Sequence, residues 1–305
     1  MKAAVYDVEG APGVLKYVDV PEPVTGPDDI LISVEAISIE GGDLINRRST
    51  PPPLPLWIGG YAAAGTVVAV GSKVRSRTVG DRVAAFHMQG SHAERWAVPA
   101  ERTWLIPDGV GMAEAATLPI SFGTAHHCLF TRGMLRQGET VLIQAAAGGV
   151  GLAAVQLASQ AGATVIAVVS GTQRRGRLRE LGADHVVDRT KDNIVDSVRQ
   201  YTHGTGVDLV IDPVGTTLPV SLSALAPEGR LVFVGNAGGN SLTVDLWSAM
   251  QSNQTLMGVF MGPLFARHGV RTSVDEMLQA VAAGRVTVVI DRILSLIHIS
   301  EPTRH

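Results

Sequence analysis

The residues of this 305-residue chain best suited to chemistry lie in one glycine-rich run. Val141-Leu142-Ile143-Gln144-Ala145-Ala146-Ala147-Gly148-Gly149-Val150-Gly151 reads as strand, turn, helix, a G-x-G-x-x-G fingerprint with Ala146 in the first glycine place. Gly148 lets the backbone approach a pyrophosphate, and Gly151 lets the helix pack closely on the strand. The start of the helix then offers free N–H groups and a partial positive charge to the phosphates. The next strand ends at Val169-Ser170. Proteins that bind NAD place an Asp or Glu there for the ribose hydroxyls; here Ser170-Gly171-Thr172-Gln173-Arg174-Arg175 follows. A 2′-phosphate needs cations and hydroxyl donors, and the arginine fork suits it, so the pattern favours NADP(H) over NAD(H). Arg174 and Arg175 fit that role, whereas Arg177 and Arg179 read as a solvated helix face. No Ser/His/Asp set stands in a nucleophile-elbow context, which disfavours hydrolysis.

These residues need a parallel sheet behind them, and the pattern from about residue 121 supplies one. Val141–Ala145, Thr164–Val169, His185–Val187, Val207–Ile211 and Arg230–Val234 read as strands. Val150–Ala161, Arg174–Leu181, Asn193–Tyr201 and Thr217–Leu225 read as the helices between them. Near-continuous apolar strands alternating with helices imply a sheet covered on both faces. The preceding 120 residues differ: short β-branched runs such as Ile30–Ala36 and Gly65–Gly71 stand between turn residues, and Pro51-Pro52-Pro53-Leu54-Pro55 must be a surface loop.

Composition narrows the rest. A 46% hydrophobic chain with a net charge of −3 gives no reason to expect a nucleic-acid or membrane-surface partner. Its 34 glycines suit many tight strand–helix turns. One cysteine, Cys128, excludes an internal disulfide framework and a four-cysteine zinc lobe. No apolar run reaches the ~20 residues of a membrane span, and MKAAVYDVEG lacks the apolar core of a signal peptide, so a cytoplasmic protein is expected. The last residues, SLIHISEPTRH, resemble a translated sequencing adapter, and Ser295–His305 are expected to be a non-native tail rather than an ordinary polar one. Val288-Val289-Ile290-Asp291-Arg292 before it reads as a strand.

The chain resembles the zinc-independent quinone oxidoreductases, the zeta-crystallin-like branch of the medium-chain dehydrogenases/reductases. The resemblance runs from Gly138-Glu139 through Ala146-Ala147-Gly148-Gly149-Val150-Gly151 to Gln156 and Ser159. Val79-Gly80-Asp81-Arg82-Val83, Leu105-Ile106-Pro107-Asp108-Gly109, Ala115-Ala116-Thr117-Leu118-Pro119 and Asp208–Gly215 agree with it in order. It implies an α/β fold: a Rossmann parallel-sheet domain plus a β-rich GroES-like catalytic domain. The boundaries expected are 1–120 catalytic, 121–257 Rossmann, 258–294 returning to the catalytic domain, and 295–305 the tail. The family usually continues past Asp291-Arg292 with a helix and a final strand, so 258–294 is expected to be truncated. It also implies cofactor contacts at Thr124 (nicotinamide carboxamide), Ala147, Gly148, Gly149 and Val150 (pyrophosphate), and Ser170 and Arg174 (adenosine ribose and its phosphate). Val214, Gly235, Asn236, Phe260 and Met261 complete the set.

Departures from the family carry information. Arg189 replaces a tyrosine near the adenosine phosphate and adds a cation. Glu40 replaces an asparagine, and His126-His127 replace an aromatic pair. The zinc-binding Gly-His-Glu segment is Gly60-Tyr61-Ala62 here, and His87 and His92 have no ligand partner at useful spacing, so no metal is expected. Without a Lewis acid, reduction of an already electrophilic acceptor is the favoured chemistry. The expectation is an NADPH-dependent reductase of a quinone or related small-molecule electrophilic acceptor. Tyr61, His87 and His127 are the candidate proton donors. Enone, alkenal or carrier-bound enoyl reduction, and a non-enzymatic NADPH-binding role, stay open. Ser241-Leu242-Thr243-Val244-Asp245-Leu246 reads as an edge segment, which in the family pairs with its twin, so a homodimer is expected.

Overall fold

The computed structural model describes residues 1–239 and 242–294, and the expected tail from Ser295 onward lies outside them. The chain divides into two compact units: Met1–Ile120 with the segment from Gly262 onward, and Ser121–Met261.

The first unit is mostly antiparallel. Its strands are β1 (Lys2–Tyr6), β2 (Lys16–Asp19), β3 (Asp29–Ser38), β4 (Trp57–Ile58), β5 (Ala62–Val70), β6 (Arg82–Phe86), β7 (Arg95–Pro99) and β8 (Thr103–Leu105), with helices α1 (Gly41–Ser49) and α2 (Met112–Thr117). A five-stranded sheet runs β7-β3-β5-β6-β8, and a three-stranded one runs β2-β1-β4. Alternation places Ile30 and Ile32 of β3 inside with Val67, Val83, Trp96 and Val98, while the intervening residues meet solvent. Glu40 begins α1, and its backbone N–H donates to the Asp43 carboxylate at 2.8 Å, satisfying a donor that the helix start would leave free.

The second unit carries α3 (Gly123–His126), which continues as a π-helical turn (His127–Arg132). Then follow β9 (Thr140–Ile143), α4 (Gly149–Gln160), β10 (Thr164–Val169), α5 (Arg175–Glu180), β11 (His185–Asp188), α6 (Ile194–Tyr201), β12 (Val207–Asp212), α7 (Leu218–Ala224), β13 (Leu225–Phe233), α8 (Trp247–Gln251) and β14 (Thr255–Gly258). The six strands form one sheet in the order β11-β10-β9-β12-β13-β14, every neighbour parallel. The order reverses beside β9: one crossover leads outward through β10, and the other half starts at β12. Ligands of such sheets sit at this reversal, beyond the carboxyl ends of the strands. Leu142, Ile166, Val168, Val187, Val210 and Leu231 are buried, as a sheet covered on both faces requires.

The return to the first unit comes at Gly262, later than the 258 expected from sequence, because β14 and the residues after it still belong with the parallel sheet. The returning chain forms α9 (His268–Ala282). Phe265 stacks on Phe86 with centroids 4.2 Å apart, and the Trp104 indole N–H donates to the Arg271 carbonyl at 3.0 Å. Two sequence expectations are corrected. Residues 285–294 carry no strand, although Val288–Arg292 is β-branched and apolar; Ile293 and Leu294 are 77% and 60% exposed. β propensity becomes a strand only against a ladder partner, and none is present among the described residues. Of the expected edge segment 241–246, Ser241 lies outside the described residues and 242–246 form a loop; among the described residues the edges of the parallel sheet are β11 and β14.

Candidate functional site

The glycine-rich turn joins β9 to α4. Gly148 is the N-cap, and the N–H groups of Gly149 and Val150 lie in the first turn, where a helix has no carbonyl to offer them. A Cβ on Gly151 would lie 2.5 Å from the Ala145 carbonyl oxygen, so only glycine allows this helix–strand approach. The left-handed residue of the turn is Ala145, with φ 48°, one position before the Ala146 that fills the first glycine place.

A cavity of about 220 Å³ opens beyond the ends of β9, β10 and β12, lined by Gln144, Ser170, Arg189, Val214, Thr216 and Gly238 among others. This is the side of the sheet on which a dinucleotide's adenosine half lies. The Arg189 Nε–H donates to Ser170 Oγ at 2.8 Å, so the serine hydroxyl and the guanidinium face the cavity as one unit. Arg174 is exposed and reaches the Ala147 carbonyl only at 3.5 Å. Arg175 is drawn elsewhere than expected: it pairs with Asp192 at 3.4 Å. Arg177 pairs with Glu180 one turn on at 3.0 Å, the solvated arrangement expected of it.

Two carboxylates frame this cavity without entering it. Asp188 Oδ1 accepts from the Gly171 N–H at 2.8 Å, the Thr190 N–H at 3.1 Å and the Thr190 hydroxyl at 2.7 Å. The Thr190 hydroxyl is the chief cause holding its pKa at about 2, with the backbone N–H groups assisting. Asp212 is buried, and it accepts from the N–H groups of Val214 and Gly215 and the hydroxyls of Thr217 and Ser221 at 2.7–3.0 Å. Gln144 extends the network by donating to Ser221 at 3.1 Å. Asp212 therefore shapes the loop that presents Val214 and Thr216. Gln144, Thr216, Thr217 and Gly238 were not singled out from sequence; the signal was available, since Asp212-Pro213-Val214-Gly215-Thr216-Thr217 follows the strand next to β9.

The other sequence-derived cofactor residues fall as follows. Thr124 is buried in α3. Gly235 and Asn236 follow β13. Phe260 is 70% exposed, and its neighbour Met261 is buried at the end of the second unit. This glycine turn, the helix start, and the Ser170–Arg189 pair beside a cavity fit a dinucleotide with a 2′-phosphate.

The candidate donors divide between the units. In the first unit, β5 and β6 pair Ala62 with Phe86, and one residue further the His87 N–H donates to the Tyr61 carbonyl at 2.9 Å. Tyr61 and His87 therefore stand opposite each other, side chains on one face. Burial pushes the Tyr61 phenol up to about 12, with Asp43 and Tyr6 adding to it, and its oxygen accepts from the Asn46 side chain. His87 Nδ1 lies 3.3 Å from the Arg102 guanidinium. Burial first, then the Arg102 charge, lowers its pKa, while Asp29 opposes them. His127 is buried in the π-helical turn of the second unit. Beside Tyr61, burial lifts both Glu40 and Asp43 to about 7; Ser38 donates to Glu40 at 2.7 Å. His92 packs against Gly60, whose φ of 96° and whose missing Cβ (2.4 Å from the ring) make it a glycine-only position; burial holds His92 at about 4. Among the described residues no three His, Cys, Asp or Glu side chains gather as metal ligands would. No helix among them is long and apolar enough to cross a membrane.

Comparison with known proteins agrees with both units. Residues 26–122 match the alcohol dehydrogenase GroES-like domain family, and residues 149–283 match the zinc-binding dehydrogenase family. A quinone oxidoreductase-like protein 2 homolog from Nematostella vectensis is 34% identical over 273 residues, 86% of this chain and 73% of its own length. A quinone oxidoreductase from Pseudomonas aeruginosa is 37% identical over 240 residues, covering 78% of this chain and 74% of that protein. Among solved structures, Escherichia coli quinone oxidoreductase complexed with NADPH superposes with a TM-score of 0.90 at 27% identity, over 95% of this chain and 90% of the other. The chain belongs to the zinc-independent quinone oxidoreductase branch of the medium-chain dehydrogenase/reductase superfamily.

Proposed function

We propose that this protein reduces quinones, or closely related electrophilic carbonyl compounds, at the expense of NADPH. The observation that carries the cofactor half is the Ser170–Arg189 pair in the cavity beyond β10, where a protein built for NAD would hold a free carboxylate. Asp188, which pairs with Val169 from the neighbouring strand β11, is buried and its Oδ1 already accepts three hydrogen bonds. The quinone half rests on the relatives named above.

NADPH, when bound, supplies the hydride that reduces the acceptor. Gly148, Gly149 and Val150 hold its pyrophosphate on the start of α4, and Ser170, Arg174 and Arg189 hold its 2′-phosphate. Thr124, Val214, Gly235, Asn236, Phe260 and Met261 complete the cofactor contacts. Either the Tyr61 hydroxyl or the His87 ring, the candidates of the first unit, hydrogen-bonds the carbonyl oxygen on which negative charge develops; His127 is the alternative candidate. A quinone takes hydride readily, so placement and such donors suffice without a metal.

A panel of quinones and α,β-unsaturated aldehydes, each with NADPH and NADH, tests this reading. NADPH-dependent quinone reduction is expected to be fastest. Faster alkenal reduction would move the assignment to an enone reductase. Tight NADPH binding with no turnover of any acceptor would leave only a binding protein.

A further inference from the structure

Arg102 stands behind His87, and its geometry decides what that histidine can do. A guanidinium carries only donors, so the His87 nitrogen it meets at 3.3 Å must be the acceptor. That nitrogen is Nδ1. A neutral imidazole has one acceptor and one donor, so the proton is on Nε2. The backbone beneath the ring is held as well: the His87 N–H donates to the Tyr61 carbonyl across the sheet.

We propose that Arg102 is a positioning residue that locks His87 as a neutral Nε2–H donor for the carbonyl oxygen of the acceptor. The inference rests on the reduction proposed above and names the device that orients its donor. Arg102 sits in the short turn Ala100–Arg102, directly before β8, which pairs with β6; the sheet itself delivers it to the end of β6 where His87 lies. A cation on the Nδ1 side does three things. It selects the tautomer, it prevents a flip of the ring, and it polarises the imidazole so that Nε2–H donates more strongly. Neutrality follows from the surroundings. Burial and Arg102 both oppose a charge on the ring, and Asp29 from β3 only partly offsets them. Tyr61 is likewise held protonated by burial and by Asp43 and Tyr6. A neutral donor suits an oxygen that is neutral in the substrate and negative only as hydride arrives: it binds the transition state better than the ground state.

The test is nitrogen NMR of the whole protein labelled at histidine, with His87→Gln to assign the signal, beside acceptor kinetics. In the unaltered protein His87 should show a bare Nδ1 and a protonated Nε2 near pH 8, with a titration midpoint below that of an ordinary histidine. Arg102→Met removes the donor and the charge. The titration midpoint of His87 should rise, and acceptor kcat/KM should fall roughly tenfold near pH 8, with KM for NADPH unaltered. Part of that loss should return toward about pH 6, where a protonated ring carries Nε2–H whatever lies behind it. A merely structural arginine would give no such acid recovery. Arg102→Gln keeps a neutral donor: it should retain the tautomer yet raise the midpoint, and it serves if the methionine variant fails to fold. A proton on Nδ1 in the unaltered protein would overturn the proposal. So would a midpoint indifferent to both substitutions. The NMR result stands even if no quinone is turned over, so a wrong substrate class and a wrong role for Arg102 give different outcomes.

Discussion

Replacing Arg189 by alanine should separate NADPH from NADH. Arg189 is exposed, but its Nε–H is held on Ser170 Oγ at 2.8 Å, so its other N–H groups point in a fixed direction. Two unit charges 4 Å apart attract by about 1 kcal/mol in bulk water and about 4 kcal/mol at the intermediate dielectric of a protein surface. A net hydrogen bond to a charged group contributes about 1.5–3 kcal/mol. For an exposed cation at the rim of a cavity the lower end applies, which is roughly a ten- to thirtyfold change in affinity. Arg174, also exposed and anchored only by a 3.5 Å contact to the Ala147 carbonyl, should contribute less than Arg189. The assay is a fluorescence titration with both cofactors at fixed ionic strength. Arg189→Ala should weaken NADPH by that factor and leave NADH nearly unaltered, and added salt should shrink the gap in the unaltered protein. Equal losses for both cofactors would refute the charge argument, and a larger loss from Arg174→Ala than from Arg189→Ala would refute the ranking.

Further expectations follow from other parts of the molecule. Gly151→Ala should abolish cofactor binding and lower Tm, since its Cβ would meet the Ala145 carbonyl at 2.5 Å; unchanged binding by titration would contradict that packing. Ala145→Gly should raise Tm, because a left-handed alanine costs about 1 kcal/mol that glycine does not; a lower Tm would contradict it. Glu40 and Asp43 have folded pKa values raised to about 7, so their contribution to stability is whole below the ordinary carboxylate range and is lost as pH rises toward about 7. Glu40→Gln should flatten that fall in a series of melting curves, and a pH dependence parallel to the unaltered protein would contradict it. Trp247, Met250 and Leu246 are 64%, 58% and 53% exposed around α8, immediately before the edge strand β14. A second copy of the chain should cover them, giving a dimer by light scattering; a monomer at micromolar concentration would contradict that. A chelator should leave activity intact, and about one zinc per chain by elemental analysis would contradict the metal-free reading.

The second unit was far more legible in the sequence than the surroundings of the candidate donors. Thr164–Val169 reads as a strand residue for residue, and β9 and α4 differ from expectation only at their ends, because buried parallel strands and the glycine turn leave strong local patterns. Val288–Arg292 misled for the opposite reason: its apolar β-branched residues give a local preference, but pairing depends on an edge that local sequence does not record. The site shows the same division. Ser170 and Arg189, which both line one cavity, were singled out in the sequence as candidates, one from the end of β10 and one from a departure beyond β11. Their mutual hydrogen bond was not, because it spans two strands. Arg175 was misjudged because Asp192, after β11, competes for it. Arg102 could not be singled out at all, since only the β6–β8 pairing brings it to His87.

The most direct test of the central claim is steady-state oxidation of NADPH by the purified protein with a simple quinone, followed by the loss of nicotinamide absorbance and by hydroquinone formation. One hydroquinone is expected for each NADPH consumed. Tyr61→Phe combined with His87→Gln should lower kcat/KM for the quinone by roughly a hundredfold or more, with NADPH affinity retained. The contradicting result is full NADPH binding without quinone reduction, or quinone reduction that survives the loss of both donors.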